Sequence, residues 1–194
     1  PRAEIGAGRV VMPNTIVRGK SVVGEHCEIG PNTMIRDCTV GDHTTVNASQ
    51  INESVIGNHV TVGPFAYVRP NCSVGDHCRI GDFVELKNSV LDEGTKVSHL
   101  TYVGDSDIGK RVNFGCGTVT TNYDGVKKYR CTVGDDVFLG CNTNLVAPVK
   151  VGEGAYTAAG STITEDVPAG ALAMARARQE NKLGWVKKFF AKKR

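Results

Sequence analysis

One histidine of the five breaks the pattern set by the rest. His26, His43, His59 and His77 each follow an aliphatic residue by three positions, in the phrases VGEH, VGDH, IGNH and VGDH. His99, in VSHLTYVG, follows Val97 by two. An imidazole titrates near neutrality and can take a proton from an attacking amine or hydroxyl, so His99 is the candidate general base. Glu85 is the candidate carboxylate to orient it, with Tyr102 beside them. Arg69 and Lys87 are 18 residues apart, each one position after an aliphatic residue. Two cations held close together invite an anion, a phosphate or a carboxylate, between them. Cys116 and Cys141 could offer thiols, but a thiol nucleophile wants an adjacent base, and direct group transfer needs none. In TNYDGVKKYR, residues 121–130, the polar candidates are Asn122, Tyr123 and Lys128.

These residues acquire positions from a repeat. Aliphatic residues recur about every six positions and are often followed by Gly, as in Val23-Gly24, Ile29-Gly30, Val40-Gly41, Ile56-Gly57, Val62-Gly63, Ile80-Gly81 and Leu139-Gly140. Four residues after each comes a small or β-branched side chain, among them Thr33, Val60, Ala66, Cys72, Val84, Thr101 and Thr143. Six is a strand period of two with a turn inserted, so the first and fifth residues point inward. Three hexads make one triangular coil of 18 residues, and coils stack at about 4.8 Å. The span from Ile5 to Val167 predicts an all-β, parallel β-helix of about nine coils, interrupted by a loop at 121–132.

The 18-residue interval therefore stacks Arg69 on Lys87, and Glu85 and Tyr102 share one corner a coil apart. The four regular histidines form a column at an exposed turn. From His99 the same slot leads to Cys116, Cys141 and Ala159, a line of small residues suited to a long, thin ligand. Cys27, Cys38, Cys72, Cys78 and Cys131 fall in the small inward slot and read as apolar filler.

Composition sets the outer limits. Glycine makes up 23 of 194 residues, about 12%, against a usual ~7%, without a collagen period. The seven cysteines are odd in number and form no CxxC pair, so a reducing cytoplasm is the natural setting. No apolar run approaches the roughly 18 residues of a membrane span. A net charge of +3 is too small to argue for nucleic acid. That charge is unevenly spread. Residues 174–194 carry +7 and the remainder −4, which predicts a basic extension that either packs on the last coil or reaches toward an anionic ligand. Pro1 enters the repeat almost at once, as an excised C-terminal domain would.

The phrases GPFAYVRP (63–70), GDFVELKNS (81–89), SHLTYVGD (98–105), TTNYDG (120–125), GDDVFLG (134–140) and NLVAPV (144–149) are more specific than the hexads. Together they resemble the C-terminal domain of the bacterial bifunctional N-acetylglucosamine-1-phosphate uridyltransferase/glucosamine-1-phosphate acetyltransferase, a hexapeptide-repeat family. The resemblance implies a left-handed β-helix over residues 1–173 and a tail at 174–194 that completes an acetyl-CoA site. It implies acetyl transfer from acetyl-CoA to glucosamine 1-phosphate, toward UDP-N-acetylglucosamine. His99 then matches the general base and Glu85 the carboxylate near it. Arg69, Lys87, Tyr102, Asn113 and Lys128 match sugar-phosphate contacts. Asn122 and Tyr123 match an acetyl-CoA contact that also positions the amine, and Cys116, Cys141, Ala159 and Arg176 match positions that line or anchor acetyl-CoA.

Cys116 and Cys141 depart from the Ala and Ser frequent in the family, and Cys141 moves any oxyanion role to backbone N–H groups such as that of Cys116. Neither the uridyltransferase activity nor its metal chemistry is expected in this chain, and a homotrimer with sites between subunits is. Rival readings share the fold: an acyltransferase for another acceptor, a γ-carbonic-anhydrase-like protein with a three-histidine zinc site, or a scaffold without catalysis.

Overall fold

The computed structural model describes residues 3–191. Short parallel strands of two to four residues form three sheets of nine, ten and nine strands. The first sheet starts at Glu4–Ile5, the second at Val10–Val11 and the third at Ile16–Arg18. Each strand pairs with those one coil before and after it, as in Val62↔Ile80, Ile80↔Val97 and Val97↔Phe114 on the second sheet. The chain is a left-handed parallel β-helix, with a coil number in line with the repeat.

The hexads explain the packing. Ile29, Ile35, Ile51, Ile56, Ile80, Leu86, Leu91, Ile108, Leu139 and Leu145 fill the axis and are almost wholly buried. Each such side chain contributes roughly 1.5–3 kcal/mol on leaving water. The second inward slot turns the corners, and its hydroxyls satisfy corner carbonyls. Thr44 Oγ1 donates to Gly57 O at 2.8 Å, and Thr95 Oγ1 to Gly109 O at 2.7 Å. The five cysteines assigned to this slot are buried. Burial pushes the Cys38 and Cys72 thiols up, and those of Cys78 and Cys131 to about 11.

The four regular histidines stack as a column, with ring centroids 4.8–5.1 Å apart. Their backbones all sit in the left-handed region, φ 55° to 59°. Gly8 and Gly94 occupy the same turn slot at either end of the column. Glycine, asparagine and histidine tolerate that conformation better than most residues, so the column follows from the turn.

The excursion is shorter at both ends than the predicted 121–132. Thr121 ends the strand Val119–Thr121, and Cys131 opens the strand Cys131–Val133. Residues 122–130 between them form a small hairpin closed by the antiparallel bridge Tyr123↔Lys128. Asp124 caps its turn by accepting from the N–H groups of Val126 and Lys127. Arg130 pins the return, donating from Nε to Asp107 at 3.0 Å and from Nη1 to Asn88 O at 2.9 Å.

After the last strand, Leu172–Ala173, the tail runs to one helix, Trp185–Ala191, none of whose residues is buried. Lys192, Lys193 and Arg194 of the basic extension lie outside the described residues, as does Pro1.

Candidate functional site

His99 ends the strand Lys96–His99 on the second sheet, where the chain turns toward the third. Its side chain is about half exposed, as an outward slot requires. The in-register residue one coil earlier is Asp82, the last residue of the strand Arg79–Asp82. Parallel neighbours in register point the same way, about 4.8 Å apart at the backbone. Asp82 Oδ1 and His99 Nδ1 meet at 2.6 Å. That hydrogen bond, with help from the Asp82 N–H, holds the Asp82 carboxyl below its ordinary value. An ionised carboxylate can only accept, so this contact is a hydrogen bond when Nδ1 carries a proton.

Glu85, expected to orient the base, does something else. It opens the strand Glu85–Lys87 on the third sheet, beyond the corner that separates it from Asp82. Its Oε1 accepts from Arg69 Nη1 at 2.9 Å. Counting back one coil from His99 along its own column reaches Asp82. Counting forward along the same column leads to Cys116.

The predicted stacking of the two cations is present, but not the unpaired state expected for them. Val68 pairs in register with Leu86, which places Arg69 over Lys87. Each cation already holds a carboxylate: Arg69 that of Glu85, and Lys87 that of Asp105, at 3.0 Å from Nζ to Oδ2. Asp105 is buried and serves three donors, since Asn88 Nδ2 approaches Oδ1 at 2.6 Å and Asn122 Nδ2 donates to Oδ2. Burial pushes the Asp105 carboxyl up, but the Asn88, Lys87 and Asn122 hydrogen bonds outweigh it and leave the group lowered. Burial likewise pulls the Lys87 ammonium down, and Asp105 more than offsets it.

Lys128 comes from the hairpin to the same place. Its ammonium is lowered by Lys87, with a smaller contribution from Arg69. Tyr102 pairs in register with Glu85 and lies within 3.5 Å of Asn122 Nδ2 through its hydroxyl. The cluster therefore gathers Arg69, Lys87, Tyr102, Asn122 and Lys128 around a buried carboxylate. Asn113 lies elsewhere, on the second sheet between Lys96 and Phe138.

The column predicted from His99 exists. Register carries Val97 to Phe114, Leu139 and Thr157, and so His99 to Cys116, Cys141 and Ala159. Backbone bonds link its turns, from Asn142 N to Cys116 O and from Gly160 N to Cys141 O, both 2.8 Å. Cys116 is half-buried and Cys141 exposed. Arg176 passes over the far end: a Cβ on Gly160 would lie 3.9 Å from Arg176 Cδ. Tyr123 is exposed on the hairpin, and its hydroxyl donates to Gly125 O at 2.6 Å.

The bacterial transferase hexapeptide model, six repeats long, matches residues 53–88 and 130–165. The chain is 58% identical over 191 residues to the bifunctional protein GlmU of Caldanaerobacter subterraneus subsp. tengcongensis. It is 53% identical over 193 residues to the GlmU of a Geobacillus species. The chain carries the hexapeptide repeat of bacterial transferases. Each alignment takes in 98% of this chain and 42% of the relative, so the chain spans about two fifths of the length of these proteins. The part it matches is the C-terminal region of the GlmU sequences. The hexapeptide coil is also that of an Arabidopsis UDP-N-acetylglucosamine acyltransferase, at a TM-score of 0.56 and 17% identity, over 88% of this chain and 71% of that one. A second such acyltransferase, from Bacteroides fragilis, aligns at a TM-score of 0.52 and 18% identity, over 87% and 70%. Both likenesses concern the fold alone.

Among the described residues no three His, Cys, Asp or Glu side chains converge as metal ligands. The stacked histidine rings lie face to face about 5 Å apart. No described helix is long and apolar enough to cross a membrane.

Proposed function

We propose that this chain transfers acetyl from acetyl-CoA to the amine of glucosamine 1-phosphate, giving N-acetylglucosamine 1-phosphate for UDP-N-acetylglucosamine synthesis. The observation that carries this reading is the placement of His99. An exposed imidazole with its Nδ1 engaged stands between a cation cluster and a column of small side chains. A phosphorylated sugar suits the first neighbour, and a slender thioester arm suits the second.

In this reading Arg69, Lys87 and Lys128 hold the sugar phosphate, with Tyr102 packing beside it. His99 Nε2 removes a proton from the neutral attacking amine as the nitrogen lone pair adds to the thioester carbonyl. The tetrahedral adduct collapses by breaking the C–S bond, and the proton held by His99 returns to the departing thiolate. The backbone N–H of Cys116 is the donor assigned to the oxyanion, since Cys141 offers no hydroxyl. Asn122 and Tyr123 position the amine and the acetyl group from the hairpin side. The basic tail from residue 174, with Arg176 nearest the column, holds the anionic end of acetyl-CoA. Asn113, remote from the cation cluster on its own chain, is assigned to a site shared between subunits of a homotrimer.

The test is release of free CoA on mixing the chain with acetyl-CoA and glucosamine 1-phosphate. Glucosamine, glucosamine 6-phosphate and galactosamine 1-phosphate serve as competing acceptors. Release that requires the 1-phosphate of glucosamine supports the reading. Equal release with another acceptor moves the function to a different hexapeptide acyltransferase, and no release with any acceptor overturns it.

A further inference from the structure

Three observations converge on Asp82. The first is register: the strands Arg79–Asp82 and Lys96–His99 pair so that Asp82 and His99 face each other, and Leu100 N donates to Asp82 O at 3.0 Å. The second is the side-chain contact at 2.6 Å between Asp82 Oδ1 and His99 Nδ1. The third is that the other carboxylate near this corner, Glu85, is committed to Arg69. Gly81 holds the two strands at close approach here, because a Cβ at that position would come within 1.9 Å of Ser98 O. The backbone separation of the pair is therefore fixed at this corner.

We propose that Asp82, and not Glu85, is the positioning residue for His99. It accepts from Nδ1–H, fixes the tautomer with an unprotonated Nε2, and keeps the ring plane turned toward the substrate amine. The proposal rests on His99 acting as the general base. A free imidazole divides its proton between the two nitrogens and rotates about χ2, so an unsupported His99 would present the basic nitrogen for only part of the time. Asp82 does not touch the substrates in this arrangement. Its effect should reach catalysis only through the ring.

Two substitutions separate this role from a structural one. Asp82→Ala removes the acceptor, and since both side chains are substantially exposed no core volume is lost. Asp82→Asn keeps an oxygen that can accept from Nδ1–H and removes only the charge. Nitrogen-15 spectra of the imidazole rings in the full chain, with His99→Ala supplying the assignment, report the tautomer without reference to activity. In the parent the Nδ1–H form of His99 should dominate. In Asp82→Ala the two tautomers should mix, kcat should fall about tenfold to a hundredfold, and the KM values for both substrates should move less than threefold. Asp82→Asn should restore the tautomer and bring kcat within about threefold of the parent.

An unchanged His99 tautomer in Asp82→Ala, or a kcat equal to the parent, would overturn the proposal. So would a loss in Asp82→Asn as large as in Asp82→Ala, which would assign the effect to charge alone. Failure of the general-base reading looks different. There His99→Ala would turn over normally while the tautomer still responded to Asp82.

Discussion

Lys87 Nζ lies 3.0 Å from Asp105 Oδ2, so a cation assigned to a phosphate already holds a buried anion. Arg69 is in the same state through Glu85. Neither site waits with an unpaid repulsion, and a bound phosphate must share these cations with the protein. Lys128 is different, for its ammonium is pushed down by its like-charged neighbours, and an added anion relieves that. Arg69→Ala and Lys87→Ala should each weaken glucosamine 1-phosphate binding about tenfold, while acetyl-CoA binding is almost untouched. The two effects should not add if, as proposed, both residues serve one phosphate. Arg69→Lys should also lose affinity, since an ammonium cannot make the planar two-pronged contact. A double-mutant cycle on the sugar Kd, with the acetyl-CoA Kd alongside, checks this. Normal sugar binding in both single variants would move the phosphate site elsewhere.

Removing the proposed base should cost far more. His99→Ala should lower kcat by roughly 10²–10⁴ and leave the fold intact, because the half-exposed ring fills no core space. His77→Ala should keep parental turnover, since His77 sits at another corner and stacks on His59 at 4.9 Å. It should instead lose about 0.5–1.5 kcal/mol of stability with that ring contact. Steady-state kinetics and urea melts on the two variants, run side by side, separate the roles. Near-parental kcat in His99→Ala would remove the base assignment.

The fold was legible because every inward slot obeys one rule. Val62, Ile80 and Val97 are aliphatic for the same reason, and they pair in register. The site was legible only where its residues share that register, as Arg69 and Lys87 do. Coil length is what blurred the rest. The register steps by 16 residues from Ile35 to Ile51 and by 18 from Val62 to Ile80, as turns lose or gain a residue. Glu85 and Asp82 are three apart in sequence but on opposite sides of a corner, and spacing alone does not say which one turns toward His99. Asp105 hid within the phrase SHLTYVGD as a turn residue in the left-handed region, φ 48°. Its role as a buried acceptor depends on Asn122, which arrives from a hairpin outside the repeat.

Asp105 also predicts how stability depends on acid. Its folded pKa is lowered, so its contribution is fully present above the ordinary carboxylate value of about 4 and is lost as pH falls through the lower folded value. Melting temperature should be flat from neutrality to about pH 5 and decline below about pH 4. Asp105→Asn should melt lower at neutral pH, because Lys87 loses its partner in a poorly solvated place. The gap between variant and parent should narrow as pH falls below about 4, where the parent carboxylate takes up its proton. Calorimetric scans between pH 3 and 7 would measure this. A gap that stays constant across the range would show that the Asp105 charge contributes nothing to the folded state.

Gly81 provides the most direct test of how the backbone sets the base. Its φ lies outside the left-handed region, so alanine is conformationally acceptable there, and the obstacle is space alone. An added Cβ would fall 1.9 Å from Ser98 O, and the obstructing atom is backbone that cannot rotate aside. The strand Lys96–His99 must therefore move away from Arg79–Asp82, stretching the contact between Asp82 and His99. Gly81→Ala should cost about 1–3 kcal/mol of stability, the usual range for overpacking. It should lower kcat as well, while sugar binding through Arg69 and Lys87 on the neighbouring sheet changes little. Gly125→Ala is the control, because nothing lies within 4 Å of a Cβ there and only its left-handed φ of 97° is strained. Should Gly81→Ala keep both its melting temperature and its kcat, the two strands would have slack at this corner, and the 2.6 Å contact would not depend on their spacing.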